Sequence, residues 1–269
     1  MKRRLSSLRG SVVALLALGA VSAPTSSAAE PPLPPRAVRV AAAADLRFAL
    51  DDVVAAFKHK RPDVTVLVTY GSSGNFHAQL QNRAPFDVFL SADTAYPRAL
   101  REKGLARGDL FTYAIGRLAV WVPKGSSLDI EGQGLRALLA PEARRVAIAN
   151  PRHAPYGSAA EAALRTLGLL EALEPRLVYG ENVAQAAQFA QTGAADAAIV
   201  ALSLAAAPAL REGGRHAEVP RDAYPTIVQV GMIMRWAHDR EAARAFRDFL
   251  LGAAGRATLE RYGFGLPGR

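Results

Sequence analysis

Thr69-Tyr70-Gly71-Ser72-Ser73-Gly74-Asn75-Phe76 joins an apolar strand to an amphipathic helix through a turn of small residues. A turn of that kind points free backbone N–H groups, two hydroxyls and the positive end of a helix dipole at one place, which makes a site for an anion. Ala41-Ala42-Ala43-Ala44-Asp45-Leu46 and Asn150-Pro151-Arg152-His153-Ala154-Pro155-Tyr156-Gly157-Ser158 read as two more strand-to-helix junctions. Three helix starts of this sort can converge on one ion.

Outward from these junctions, strands and helices alternate. Val38 to Ala43 reads as a buried strand and Leu46 to Lys60 as an amphipathic helix with Leu50, Val53, Val54 and Phe57 on its apolar face. Val64 to Tyr70 and Phe86 to Ser91 read as strands, with helices over Asn75 to Asn82 and Tyr96 to Lys103. A second unit of the same kind begins with the strand Leu118 to Val122. It continues through a helix near Gly134 to Leu139, the strand Arg145 to Ala149, the helix Ser158 to Leu167, the strand Arg176 to Tyr179, the helix Val183 to Thr192 and the apolar run Ala195 to Ala201. Thr226 to Met234 is a long strand, followed by helices over Glu241 to Leu251 and Ala254 to Tyr262. The alternation predicts an α/β protein with mostly parallel sheets. Length and order divide it into two lobes, 37–119 with 227–269 and 120–226, with the ligand in the cleft where strands end and helices begin.

The amino terminus carries a basic start (Lys2, Arg3, Arg4, Arg9), an apolar stretch from Val12 to Val21 and small residues up to Ala29. That is the pattern of a cleaved secretory leader over 1–29. The apolar stretch falls short of the roughly 20 residues needed to span a bilayer. Residues 30–36 then read as a Pro-rich tether. No cysteine is present, so neither a disulfide nor a lipid-bearing cysteine is available. Loss of the leader removes four basic residues and no acid, taking the formal charge from +9 to +5. The remaining charges are scattered, without a basic run or interleaved aromatics, which argues against nucleic-acid binding.

Enzyme signatures fail on inspection. Asn75 stands where the last glycine of a nucleophile elbow would be, and neither His216 nor His238 is tied to the turn. No phosphate-binding loop or dinucleotide fingerprint occurs. His59, His77, His153, His216 and His238 are single and widely spaced, so they read as surface or structural histidines and not as metal ligands. No catalysis and no cofactor are expected.

Ala42-Ala43-Ala44-Asp45-Leu46, Gly71-Ser72-Ser73-Gly74-Asn75, Ala84-Pro85-Phe86-Asp87-Val88-Phe89-Leu90-Ser91-Ala92-Asp93, Asn150-Pro151 with Pro155-Tyr156-Gly157, and the closing Arg261-Tyr262-Gly263-Phe264 together resemble the periplasmic molybdate-binding proteins of ABC importers. The resemblance runs in order through the whole chain after the leader. It implies a monomeric, periplasmic, two-lobed protein of the type II periplasmic binding superfamily that captures molybdate or tungstate for a membrane permease. It also implies oxyanion contacts from the positions of Asp45, Ser73 with Ser72 beside it, and the backbone amides of Tyr156 and Val183. A tyrosine that some members carry after an Ile-Val pair is absent, since Ala201 follows Ile199-Val200, and the hydroxyl of Tyr156 is a candidate replacement.

Asp45 stands where the family commonly has serine. A carboxylate about 4 Å from a dianion is repelled by roughly 4 kcal/mol per unit charge at an effective dielectric near 20, more than one good hydrogen bond returns. Two readings follow. In one, Asp45 caps its helix through its side chain while nearby amides face the ion. In the other, it accepts a proton from a protonated oxyanion such as phosphate or arsenate.

Overall fold

Val38 and Val40 are buried along with the alanines that follow them, the mark of a central strand covered by helices on both sides. In a computed structural model, which describes residues 36–268, this strand is β1 (Ala37–Ala43). A 3-10 turn (Ala44–Leu46) leads to α1 (Arg47–Lys60), β2 (Thr65–Gly71), α2 (Ser73–Gln81), β3 (Val88–Ser91), α3 (Ala95–Glu102) and β4 (Phe111–Gly116). Next come β5 (Leu118–Pro123), α4 (Ile130–Gln133) with a 3-10 segment (Gly134–Leu139), β6 (Val146–Ala149), α5 (Pro155–Thr166), α6 (Leu170–Leu173) and β7 (Leu177–Gly180). The chain continues through α7 (Val183–Gln191), β8 (Ala197–Ala201), α8 (Leu202–Ala205), α9 (Pro208–Gly213) and β9 (Gly214–Glu218). It closes with β10 (Ile227–Ile233), α10 (Arg240–Leu251) and α11 (Ala253–Arg261). The expected leader, and all of the expected tether except Arg36, lie outside the described residues.

Two five-stranded sheets result, ordered β2-β1-β3-β10-β4 and β7-β6-β8-β5-β9. The orders are equivalent: β1, β2 and β3 occupy the places of β6, β7 and β8, although the sequence shows no internal repeat. In each sheet two ladders are parallel and two antiparallel, so strand direction is mixed and not mostly parallel. The reason is that β10 and β5 each arrive from the other lobe, so no right-handed helix crossover fixes their direction.

The change of sheet falls at Arg117. The expected boundary at 119/120 would cut β5, whose Leu118 and Ala119 already pair with Ala201 and Val200. The chain returns between Glu218 and Ile227. The two crossings are tied together: Leu118 N donates to Tyr224 Oη at 3.0 Å and Val219 N to Leu118 O at 2.9 Å.

Each sheet has its own apolar packing. Around the first, Phe57 of α1 meets Phe246 and Phe249 of α10 edge-on, and full burial of such a side chain contributes about 1.5–3 kcal/mol. Around the second, buried Trp121 satisfies its indole N–H on Leu210 O at 3.1 Å. Alanine-rich helix starts, including Ala43 and Ala44 of the first lobe and Ala154 of the second, pack within one continuous cluster across the cleft.

Candidate functional site

A small, nearly closed hollow of about 10 Å³ lies between the lobes, bordered by Ala43 to Asp45, Gly71 to Ser73, Ala154 to Tyr156, and Asn182 with Val183. Four helix starts thus meet there, two from each lobe. All five sequence-predicted residues, Asp45, Ser72, Ser73, Tyr156 and Val183, are among its walls.

The capping pattern decides which N–H groups remain free. At α2, Ser72 Oγ accepts from Asn75 N and Gly74 N donates across the cleft to His153 O at 2.8 Å. At α7, Asn182 Oδ1 accepts from both Ala184 N and Gln185 N. At α5, Ala154 O takes the N–H groups of Gly157 and Ser158, and Pro155 has none to offer. What is left at each start is the N–H of Ser73, Val183 and Tyr156, which have no acceptor among the described residues. Ser73 is fully buried and its Oγ accepts from Ala92 N at 3.0 Å, so its own O–H is still available to donate.

Ser72 is more committed. Besides capping α2 it lies 3.0 Å from His153 Nδ1. His153 also lies 3.8 Å from Glu181 across its other nitrogen, and Asn75 Nδ2 donates to Glu181 Oε1. His153 was expected to be a surface or structural histidine; it stands half-buried at the cleft mouth and joins the lobes.

Asp45 does not cap its helix. The 3-10 turn and α1 both start without a side-chain cap, which overturns that reading. Instead Asp45 is 1% exposed and its Oδ2 accepts from Gln229 Nε2 at 2.5 Å. Gln229 is buried on β10 and donates also to Tyr156 Oη at 3.2 Å, so the Tyr156 hydroxyl belongs to this cluster. Ser203 Oγ donates to Asp45 O at 2.8 Å. The other carboxylate oxygen, Oδ1, is buried without a partner, as is Gln229 Oε1. Burial pushes the Asp45 carboxyl up to about 6, against the opposing pull of the Gln229 amide and the Tyr156 hydroxyl. Burial and the nearby Asp45 charge hold the Tyr156 hydroxyl well above its ordinary range.

Sequence reasoning missed Gln229, Ser203 and the Gly116 that lets Tyr156 approach. A Cβ on Gly116 would lie 2.3 Å from Tyr156 Oη and 3.0 Å from Gln229 Nε2. A lone glutamine inside an apolar strand, Ile227-Val228-Gln229-Val230, was the available signal for the first of these.

A two-lobed fold with uncovered helix N-termini around an interlobe hollow defines a ligand-capturing binding protein. The chain belongs to the bacterial extracellular solute-binding protein family, whose profile matches residues 38–265. It is 40% identical over 231 residues to the molybdate-binding protein ModA of Azotobacter vinelandii, covering 85% of this chain and 90% of that protein. It is 39% identical over 201 residues to ModA of Rhodobacter capsulatus, covering 74% and 77%. The solved structure of the Azotobacter vinelandii periplasmic molybdate-binding protein superposes with a TM-score of 0.80 at 34% identity, covering 86% of this chain and 99% of that one.

Proposed function

We propose that this protein captures molybdate, and tungstate with it, between its lobes and hands the ion to an ABC permease without catalysing a reaction. It works as a monomer in the periplasm after loss of the leader. The observation that carries this reading is the set of uncapped N–H groups at Ser73, Tyr156 and Val183, together with the free O–H of Ser73, around a hollow bordered by no lysine, arginine or histidine. Neutral donors suit a doubly charged ion because they bring no counter-charge that a competing anion could exploit. Similarity to proteins named for molybdate supports the choice of ion.

If about five hydrogen bonds to charged oxygens each return about 1.5–3 kcal/mol, the gross gain is about 8–15 kcal/mol. Closure and lost freedom subtract several, so bonds at the strong end of that range are needed for an affinity between micromolar and nanomolar. A thermal-shift panel of molybdate, tungstate, sulfate, phosphate and arsenate on protein lacking residues 1–29 tests the reading. Molybdate and tungstate should raise the Tm most, since an ion bound only by the folded state stabilises it. A larger rise with phosphate or arsenate would instead favour a protonated oxyanion held by Asp45. Ser73→Ala should weaken molybdate binding at least tenfold by calorimetry, and an unchanged Kd would remove Ser73 from the site.

A further inference from the structure

Asp45 is the one acidic residue bordering the hollow in which the oxyanion reading puts a dianion. Its two oxygens are not equivalent. Oδ2 is held by the Gln229 amide, while Oδ1 is buried, unpartnered and carried by a residue in the wall of the site. A bare carboxylate there would repel the ion that the surrounding N–H groups attract. A carboxylic acid would do the opposite, because Oδ1–H would become one more neutral donor.

We infer that Asp45 binds the oxyanion in its protonated form, donating from Oδ1, so that capture of a dianion takes up one proton from solution. This rests on the oxyanion reading of the hollow and specifies how it works. The proton moves from solvent to Asp45 Oδ1, and no covalent bond in the ion is made or broken. Gln229 is the positioning residue: by donating to Oδ2 it leaves Oδ1 as the hydroxyl oxygen. Burial already favours the neutral acid before any ion is present, and the incoming charge favours it further.

Other groups facing Asp45 do not compete for this role. Tyr156 of α5 and Tyr113 of β4 are fully buried and held well above their ordinary range, so they stay neutral. α7 and α8 present Val183 and Ser203, which carry no charge. From β2, Tyr70 bonds Asp51 of α1, and burial, first, and that carboxylate keep its hydroxyl neutral. Arg47 follows on α1 and is exposed, and Asp93 lies beyond Tyr113 beside Ser91. His153 and Glu181 stand at the cleft mouth, on Ser72 and Asn75.

The test is calorimetric titration with molybdate from pH 5.5 to 8.5, repeated in buffers of different ionisation enthalpy, on the wild type, Asp45→Asn and His153→Gln. Expected for the wild type is a flat Kd below about pH 6 and a loss of about tenfold per pH unit above it, with close to one proton taken up per ion. Asp45→Asn should bind with no proton uptake and a flat profile, and His153→Gln should keep the uptake. If Asp45→Asn does not fold, uptake by the wild type that survives in His153→Gln still supports the inference. A flat wild-type profile without proton uptake overturns it, as does uptake that persists in Asp45→Asn or disappears in His153→Gln. Absence of molybdate binding by the wild type at every pH would instead remove the oxyanion reading beneath it.

Discussion

Gly74→Ala is expected to weaken molybdate binding by up to about a hundredfold while moving the Tm of the unliganded protein little. Gly74 lies in the first turn of α2, and a Cβ there would stand 2.6 Å from His153 O and 2.8 Å from His153 Cβ, both across the cleft. The nearest obstacle is backbone, so no rotamer change relieves it. Overpacking of this kind costs about 1–3 kcal/mol, and each 1.4 kcal/mol is tenfold in affinity. Of the three nearest atoms, the one from the first lobe is Tyr96 Oη at 2.7 Å, the far end of a side chain that can shift. Alanine is also the better helix former. The cost therefore falls on closure and not on folding. Calorimetry with small-angle scattering of the liganded protein checks this, and an unchanged Kd would mean that the lobes need not meet at Gly74 to hold the ion.

Gly157→Ala should act on the fold itself. Its Cβ would lie 2.2 Å from Ala149 O and 2.9 Å from the Asn150 carbonyl carbon, where α5 rests on the end of β6. These nearest neighbours are all backbone of the same lobe, so the strain is present with or without ligand. A cost of about 3 kcal/mol would lower the Tm by roughly 6–12 °C in a domain of this size. It would also displace the adjacent Tyr156 N–H and weaken binding. A thermal melt within 2 °C of wild type would show that α5 slides along β6 more easily than this close packing suggests.

The alternation of apolar strands with amphipathic helices was enough to read two α/β lobes and the junctions that wall the site, because buried central strands such as Val146–Ala149 and Ala197–Ala201 are continuous apolar runs. β9 was not legible: Gly214-Arg215-His216-Ala217-Glu218 is polar and becomes a strand only by pairing with β5. β4 was missed although Tyr113 and Ala114 are buried, because its neighbour β10 comes from far along the chain. Strand direction in β5 and β10 depends on which lobe they enter, which local pattern does not encode. The site divides the same way. Ser73, Tyr156 and Val183 follow from helix starts, a local property. The environment of Asp45 depends on Gln229, separated from it by 184 positions. So capping, a reading drawn from neighbours in sequence, was the wrong one for it.

The insertion of β10 between β3 and β4 has a bearing on how the molecule is made. A chain synthesised from its amino end holds β1 to β4 long before the piece that must slide between two of them exists, whereas every strand of the other sheet lies within 118–218 and can assemble without waiting. The earlier-made half is thus the later to be finished. A nascent molecule therefore keeps its first sheet open, with β3 and β4 still unjoined, until the residues of β10 have emerged to close it.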